Sequence, residues 1–313
     1  MSLSFYMEHK KKLFSGKAMK ISELLDLVPG MVQLTFDESR EDFDPNAFYS
    51  SRLDEYVCLL FGIEFRSARG FEVSYEKPED NKPYYRVRIF TPSSEEDWKI
   101  ALTFTKALAL KQGSEIKSEH GDVFTAQDIE RFAYRDDILF GIQSLFEQED
   151  ESSSSFLFGV TRPVAFDEAM RKRILSAPDS VREFSEIITH IQYLDAYSAK
   201  QFFYRDEEDQ SVFGLYVLTE TVDTILPYKP FVEFQNTDFM DEKDIKTWKI
   251  HLMVFDGDPQ NGGSCDSLDV LEYDEFIEHL PKEKYEFIDG AYILVKGLDK
   301  NEMQTLVNSA KKR

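Results

Sequence analysis

Two stretches of alternating side chains constrain the fold of this chain more than any other feature of its sequence. Residues 71–76 read Phe-Glu-Val-Ser-Tyr-Glu, and residues 85–89 read Tyr-Arg-Val-Arg-Ile. Because successive side chains of a strand point to opposite faces, each stretch predicts a strand with one apolar and one polar face. The turn-rich loop between them predicts an antiparallel hairpin. Glutamates of one strand would face Arg86 and Arg88 of the other, which gives these arginines a structural role.

A capped helix follows the hairpin. Ser93 and Glu96 have the spacing of a capping box, and the acidic residues after Ser93 suit the positive end of a helix. We predict a helix from residue 95 to about Lys111 that ends near Gly113. Further strands are predicted at 156–160, 212–218, 231–234, 248–255 and 291–295, and further helices at 125–132, 136–146, 167–175, 179–197 and 299–310. This mixture predicts an α+β fold of mostly antiparallel sheets with helices packed on them.

The length of 313 residues favours about two domains, and one large domain is the alternative. Residues 147–155 read Glu-Gln-Glu-Asp-Glu-Ser-Ser-Ser-Ser, which cannot bury apolar surface. We therefore interpret 149–155 as a linker or exposed loop. It would join an N-terminal α+β domain at 1–148 to a C-terminal α+β domain at 156–313, two halves of similar size. A second acidic stretch at 206–210 predicts a hairpin loop.

The chain is strongly acidic, with 59 Asp and Glu against 37 Lys and Arg and a formal charge of -22. Such a negative field disfavours contact with nucleic-acid phosphates and with anionic lipid, because both are bound through Lys and Arg. We therefore expect no nucleic-acid partner and no membrane partner. A basic protein is the partner that this charge favours. The alternative is that the charge serves solubility alone.

The N-terminus and the cysteines indicate a cytoplasmic protein. Cys58 and Cys265 are far apart and belong to no Cys-x-x-Cys pair, which argues against a zinc site or a disulfide framework and fits a reducing compartment. The basic cluster Lys10–Lys12 follows an apolar stretch, the reverse of the order in a signal peptide. No apolar run approaches the roughly 18 residues of a membrane span.

The first residues of the chain carry a resemblance. Residues 2–7, Ser-Leu-Ser-Phe-Tyr-Met, followed by Lys-Lys-Lys-Leu-Phe at 10–14, resemble the start of an uncharacterised bacterial family of about 300 residues, a domain of unknown function. The resemblance rests on this stretch and on the overall length and composition. It contains no catalytic motif, and it implies a cytoplasmic bacterial protein without implying an activity.

One glycine-rich segment, Asp256–Asp269, has the density of oxygen donors that a hard cation needs. The donors that it offers are Asp256, Asp258, Asn261, Asp266 and Asp269. The segment departs from the EF-hand spacing at Asn261, where a glycine is required, and at Ser267, where a glutamate is required. Exposed turns use the same residue types. Two interpretations therefore stay open, a plain loop and a calcium or magnesium site, and no other cofactor is predicted.

The sequence contains no Gly-x-Ser-x-Gly, no Gly-x-Gly-x-x-Gly, no phosphate-binding loop motif and no His-Glu-x-x-His. Carboxylates are so numerous that no single pair stands out for acid–base catalysis. The leading hypothesis is a non-enzymatic, cytoplasmic binding or regulatory protein whose acidic surface accepts a basic protein partner. The alternative is a carboxylate-based hydrolase, or a sugar- or nucleotide-processing enzyme, with a divalent cation at residues 256–269. The sequence does not set the oligomeric state.

Overall fold

A computed structural model describes residues 1–8, 17–79, 82–147, 155–256 and 264–311 of the chain. The chain divides into two compact units. The first unit consists of Met1–Val164 and Glu168–Tyr193, and the second unit consists of Ala165–Asp167 and Leu194–Arg313. The predicted linker at 149–155 lies outside the described residues except for Ser155, so a boundary between separately folding domains at that point stays a prediction.

The first unit is built on a seven-stranded antiparallel sheet. In order across the sheet, its strands are β2 (Met31–Gln33), β3 (Leu59–Ile63), β4 (Phe71–Glu76), β5 (Tyr84–Phe90), β1 (Ser2–Glu8), β6 (Ile116–Ser118) and β7 (Val123–Phe124). The N-terminal strand β1 lies between β5 and β6, away from the edges of the sheet. Its alternate residues Leu3, Phe5 and Met7 are buried in the core.

The predicted hairpin is confirmed. Strands β4 and β5 pair antiparallel, with Glu72 opposite Arg88 and Ser74 opposite Arg86. The Arg88 Nη1 atom lies 2.7 Å from Glu72 Oε2, and Arg86 Nε lies 3.2 Å from Glu76 Oε1. The apolar side chains of both strands point into the core. The period of two therefore predicted both faces of this hairpin correctly.

Six α-helices belong to the described part of the first unit. They are α1 (Ile21–Leu25), α2 (Pro45–Ser50), α3 (Glu95–Gln112), α4 (Tyr134–Glu147), α5 (Glu168–Ser176) and α6 (Ser180–Gln192). Helix α3 packs against β1, β3 and β5. Its residue Trp98 is fully buried and stacks on Phe132 with 5.4 Å between ring centroids, and Phe104 contacts Phe71 at 5.3 Å. The Phe104 contact holds the helix on strand β4, and the Trp98 contact joins it to the segment that follows β7.

The predicted start of helix α3 at residue 95 is confirmed, but its N-cap lies one residue after the predicted Ser93. Ser94 is the N-cap residue: its hydroxyl accepts the Asp97 N–H at 3.0 Å, and the Asp97 carboxylate accepts the Ser94 N–H at 3.3 Å. The predicted pair, Ser93 with Glu96, has the same spacing, so local pattern could not separate the two. The predicted end is confirmed, because Gly113 adopts a φ of 61°, which favours glycine.

The second unit contains two four-stranded sheets. Across the first, the strands are β11 (Phe202–Arg205), β12 (Val212–Thr219), β14 (Ile245–Asp256) and β15 (Ser264–Glu272). Across the second, they are β10 (Tyr197–Ser198), β13 (Thr224–Pro227), β17 (Tyr292–Val295) and β16 (Tyr285–Phe287). Pairing is parallel for β12 with β14 and for β10 with β13, and antiparallel elsewhere in both sheets. Strands β8 (Ser155–Phe158) and β9 (Pro163–Phe166) form a separate two-stranded sheet.

Two α-helices complete the described part of the second unit. Helix α7 (Tyr273–His279) contacts β14 and β15, and helix α8 (Lys300–Ala310) contacts β15. Their apolar residues share one core with the sheets, which includes Tyr216, Leu218, Ile250, Leu252, Phe276, Ile293, Met303 and Leu306. The predicted capping box of α8 is confirmed, since the Asp299 carboxylate accepts the Glu302 N–H at 2.8 Å. The mostly antiparallel sheets with packed helices confirm the α+β fold class.

The strand predicted at residues 231–234 is wrong. The N–H of Val232 donates to the Glu242 carboxylate, and the N–H of Glu233 donates to the Gln201 side chain. Side chains therefore take the place of a neighbouring strand as hydrogen-bond partners. A short 3-10 helix at Phe234–Asn236 follows.

The helix predicted at 179–197 ends at Gln192, and two other predicted elements differ in type from the structure. Residues 125–132, predicted as an α-helix, contain a 3-10 helix at Ile129–Arg131, because Phe132 leaves the helical path to stack on Trp98. The segment 256–269, predicted as a loop, continues as strand β15 from Ser264 onward. Pairing with β14 overrides the turn-like composition of this stretch.

Candidate functional site

The β11–β12 hairpin of the second unit ends in an acidic tip at residues 206–210, as predicted. Arg205 pairs with Val212, and the Asp206 N–H donates to the Ser211 carbonyl at 2.8 Å. The Asp206 carboxylate accepts the Glu208 N–H at 2.9 Å, which turns the chain back on itself. Glu207 and Glu208 are exposed. The tip thus presents carboxylates to solvent on a hydrogen-bonded turn.

A second acidic turn lies at the same end of this sheet. Residues 241–244 read Asp-Glu-Lys-Asp and lead directly into β14, whose first residue, Ile245, pairs with Val212. The Lys246 Nζ atom lies 2.5 Å from Asp209 Oδ2, and this hydrogen bond with the lysine holds the pKa of Asp209 below its ordinary value. We call residues 206–209 and 241–244 the acidic end. It holds seven carboxylates and one lysine, so it carries a strong net negative charge.

Exposed aromatic side chains lie next to the acidic end. In β11, Phe202 and Tyr204 are 41% and 49% exposed, and Tyr204 stacks on Phe213 of β12 at 5.7 Å. Phe203 points to the opposite face of the sheet and contacts Phe239, which is itself 66% exposed. Large exposed apolar groups beside charge are characteristic of protein-binding surfaces. We call Phe202 and Tyr204, which share one face of β11, the aromatic patch.

A partly buried polar network holds the segment that carries Phe239. The Gln201 side chain donates to the Tyr216 hydroxyl and to the Phe231 carbonyl, and its oxygen accepts the Glu233 N–H at 3.0 Å and the Asn236 amide at 2.8 Å. Every hydrogen-bonding position of this amide is therefore used. The network fixes the start of the 231–244 segment to the sheet.

Glu233 contributes a carboxyl with a raised pKa to this network. Burial raises its pKa to about 7, and the Tyr216 hydroxyl, which donates to Glu233 Oε1 at 3.5 Å, acts in the opposite direction. Tyr273 of α7 and Tyr292 of β17 also face this carboxyl, and burial raises the pKa of each phenol above its ordinary value. The tyrosines thus stay protonated at neutral pH, while Glu233 changes charge there.

A groove of about 1370 Å³ on the first unit is a second surface feature. Its charged lining consists of Glu8, Lys82, Glu115 and Lys117. Glu8 lies 2.9 Å from Lys117 and 3.3 Å from Lys82, and these hydrogen bonds lower its pKa. The two negative and two positive side chains of the lining balance, so the groove attracts neither a basic nor an acidic partner. The second unit therefore holds the stronger candidate site.

The five predicted metal ligands are only partly described. Asp256 is the last residue of β14, and Asp266 and Asp269 lie in β15, whereas Asp258 and Asn261 lie outside the described residues. The Asp269 carboxylate lies 2.5 Å from Lys311 Nζ, and this hydrogen bond lowers its pKa. In the parts of the chain that are described, no group of three or more His, Cys, Asp or Glu side chains is arranged to hold a metal ion. The metal site stays a prediction.

Comparison with known proteins gives a family and no function. The family model described as Domain of unknown function (DUF4299) matches residues 2–306. The chain belongs to this family. No curated protein and no solved structure matches the chain. Within the described residues, none of the helices combines the length and the apolar character that crossing a membrane requires.

Sequence reasoning missed the residues of the polar network. Gln201, Tyr216 and Glu233 come from separate parts of the chain, and none of them belongs to a recognisable motif. It also missed Asp97, the fully buried carboxylate of the first unit, which accepts hydrogen bonds from the backbone of Arg69 and Gly70 and from the hydroxyl groups of Ser93 and Ser94. Asp97 joins the start of α3 to the start of β4, which is a structural role.

Proposed function

We propose that this is a non-enzymatic, cytoplasmic binding or regulatory protein that holds a basic protein partner on the second unit. The observation that carries the proposal is the continuity of β11 with the acidic tip. The exposed side chains of Phe202 and Tyr204 stand in the strand that leads directly into the carboxylates of residues 206–209. A basic segment with apolar side chains can contact both at once.

Charge supports a basic partner over an acidic one. The second unit contains 26 Asp and Glu and 13 Lys and Arg. At the acidic end, Lys243 lies 2.6 Å from Asp241, and Lys246 is occupied by Asp209. Glu207 and Glu208 extend beyond these ion pairs into solvent. Carboxylates in such positions accelerate the encounter with a basic partner and repel an acidic one.

Apolar contact supports binding rather than simple solubility. A surface that only keeps a protein in solution needs charge, and exposed Phe and Tyr side chains work against that purpose. Aromatic residues are enriched in the centres of protein interfaces because they bury a large area at a small cost in conformational entropy. The aromatic patch thus supplies affinity, and the acidic end supplies selectivity for positive charge.

Charge reversal tests the proposal. Proteins retained from a native cell extract at about 0.15 M salt, where screening acts over about 8 Å, provide the partner. The double variant Glu207→Lys with Glu208→Lys should lower its association rate constant about tenfold and change the dissociation rate little. Glu283→Lys with Glu286→Lys makes the same charge change elsewhere on the second unit and serves as the control. Equal effects of the two double variants, or no retained basic protein, would contradict the proposal.

A hydrolase, or a sugar- or nucleotide-processing enzyme, is the second candidate, and Glu233 is the residue that favours it. A carboxyl with a pKa of about 7 can both accept and release a proton at neutral pH. A calcium or magnesium ion at residues 256–269 would be its cofactor. Chromogenic glycosides and phosphate esters, tested with and without each cation, would reveal the activity. Turnover that Glu233→Gln abolishes would support this candidate, and turnover that survives the substitution would exclude the role of Glu233.

A further inference from the structure

Strand β11 has an outer edge that carries no neighbouring strand among the described residues. We infer that a segment of the basic partner adds to this edge as a further strand of the β11–β12–β14–β15 sheet, an inference that rests on the proposed function and specifies how the partner binds. Main-chain hydrogen bonds would hold the segment, and its lysines and arginines would reach the acidic end.

Strand β11 is a terminal strand of its sheet. It pairs with β12 in antiparallel register from Phe202 opposite Leu215 to Arg205 opposite Val212, and among the described residues no strand pairs with its other side. In an antiparallel pair, some of the backbone N–H and C=O groups of a terminal strand point away from the neighbouring strand, on the outer side of the sheet. These groups form a ready template for another extended segment.

The two edges of this sheet differ in how they are protected. The opposite edge, β15, carries the carboxylates of Asp266, Asp269 and Glu272, and its register with β14 is interrupted between Leu252 and Met253. Charged side chains and irregular pairing are the devices by which proteins prevent unwanted strand addition. Strand β11 instead presents three consecutive aromatic residues, Phe202–Tyr204. Within one sheet, therefore, one edge is protected and the other is available.

The side chains around β11 specify the occupant. Phe202 and Tyr204 lie on one face of the strand, so alternate apolar residues of an added strand would contact them. Past the end of β11 the chain turns into the acidic tip, so basic residues at the corresponding end of the added strand would lie near Glu207 and Glu208. Arg205 is turned toward the tip, where its guanidinium donates to the Gln210 carbonyl at 3.4 Å. The fitting occupant is an extended segment that alternates apolar and basic side chains.

A synthetic peptide of alternating lysine and valine residues is a suitable probe for the full-length chain. A control peptide of the same sequence carries N-methyl groups on the backbone of alternate residues. These groups remove the N–H donors along one edge of the peptide and leave its charge and side chains unchanged. We expect the plain peptide to slow amide hydrogen exchange within residues 202–205. We expect the N-methylated peptide to bind about tenfold more weakly, the equivalent of about 1.4 kcal/mol.

A substitution in β11 separates strand addition from electrostatic attraction. Tyr204→Glu makes the surface more acidic, so general attraction would strengthen binding of the lysine–valine peptide. Strand addition predicts the opposite, because the substitution removes an apolar contact and places a charge on the edge. Val270→Glu is the control, because it places one negative charge on β15 at a side chain that is 43% exposed. It should leave binding of the peptide to the β11 edge unchanged.

The possible failures are distinguishable. If the peptide does not bind, or if Glu207→Lys with Glu208→Lys does not weaken its binding, the proposed function fails. If charge reversal weakens binding while the N-methylated peptide binds as well as the plain one and the β11 amides gain no protection, only strand addition is overturned. Protection that appears in β15 instead of β11 would also overturn it. Protection in β11 together with tighter binding by Tyr204→Glu would overturn the proposed contact with that side chain.

Discussion

The Tyr216 hydroxyl donates to the Glu233 carboxylate at 3.5 Å in the second unit, and Gln201 joins both residues to one network. Tyr216 is fully buried in β12, whereas Glu233 begins the segment that carries Phe239. The pair thus connects the core of the sheet with the segment that carries the exposed Phe239. Because the pKa of Glu233 is about 7, the charge of this pair changes near neutral pH.

The first prediction concerns pH. The folded-state pKa of Glu233, about 7, exceeds its unfolded value of about 4.3. The folded state therefore binds the proton more tightly, so the stability due to this group is complete below pH 4.3 and is lost as the pH rises toward and through 7. Between these pH values, the ionisation of Glu233 should lower the free energy of unfolding by roughly 2 to 3 kcal/mol. The Glu233→Gln variant should not show this decrease. Urea unfolding of both proteins at several pH values measures the difference.

The exposed residue Glu283 supplies the control for that experiment, since Glu283→Gln should leave the pH dependence as it is in the unchanged protein. Other buried carboxyls are common to all three proteins and cancel in the comparison. Parallel stability curves for the unchanged protein and Glu233→Gln would contradict the raised pKa of Glu233.

The second prediction concerns the metal site. If Asp256, Asp258 and Asp266 bind calcium, millimolar calcium should raise the melting temperature, because a ligand that binds only the folded state stabilises it. Asp258→Ala should abolish the shift, and Asp238→Ala, which removes another exposed carboxylate, should not. A shift no larger than that produced by magnesium or by matched ionic strength would rule out a calcium-specific site.

The third prediction concerns residues 147–156. The composition of this stretch predicts an exposed loop, and such a loop can enter a protease without unfolding of a core, so limited proteolysis should cut first here. Two stable fragments of similar size, identified by mass spectrometry, would support separate domains on either side. First cleavage at another place, or immediate degradation to peptides, would show that the two halves unfold as one cooperative unit.

The fourth prediction concerns Asp97. Its carboxylate accepts hydrogen bonds from the Arg69 and Gly70 N–H groups at 3.0 and 2.9 Å, and it is fully buried. Asp97→Ala would leave these donors unpaired and should destabilise the protein by about 3 kcal/mol or more. The exposed Glu115→Ala should change the free energy of unfolding by less than about 0.5 kcal/mol. Denaturant unfolding curves compare the two, and equal effects would show that the Asp97 network contributes little.

Interactions between residues near in sequence were predictable. The β4–β5 hairpin follows from a period of two on each side of a short loop, and Glu72 meets Arg88 because that register allows it. The acidic turn at 206–210 and the capping box of Asp299 with Glu302 also form within a few residues. Such structure depends on backbone geometry and on local hydrogen bonds, both of which leave a pattern in the sequence.

Tertiary structure alone decided the candidate site. Gln201, Tyr216 and Glu233 meet only after the sheet of the second unit has assembled, and burial in that assembly raises the pKa of Glu233. The strand order likewise places β11 at an edge, and pairing with β14 makes residues 264–269 of the expected loop a part of β15. The acidity of the chain follows from its composition alone, because net charge depends on the number of charged residues and not on where they lie. Where that charge lies beside Phe202 and Tyr204 depends on long-range pairing and burial, which no local pattern encodes.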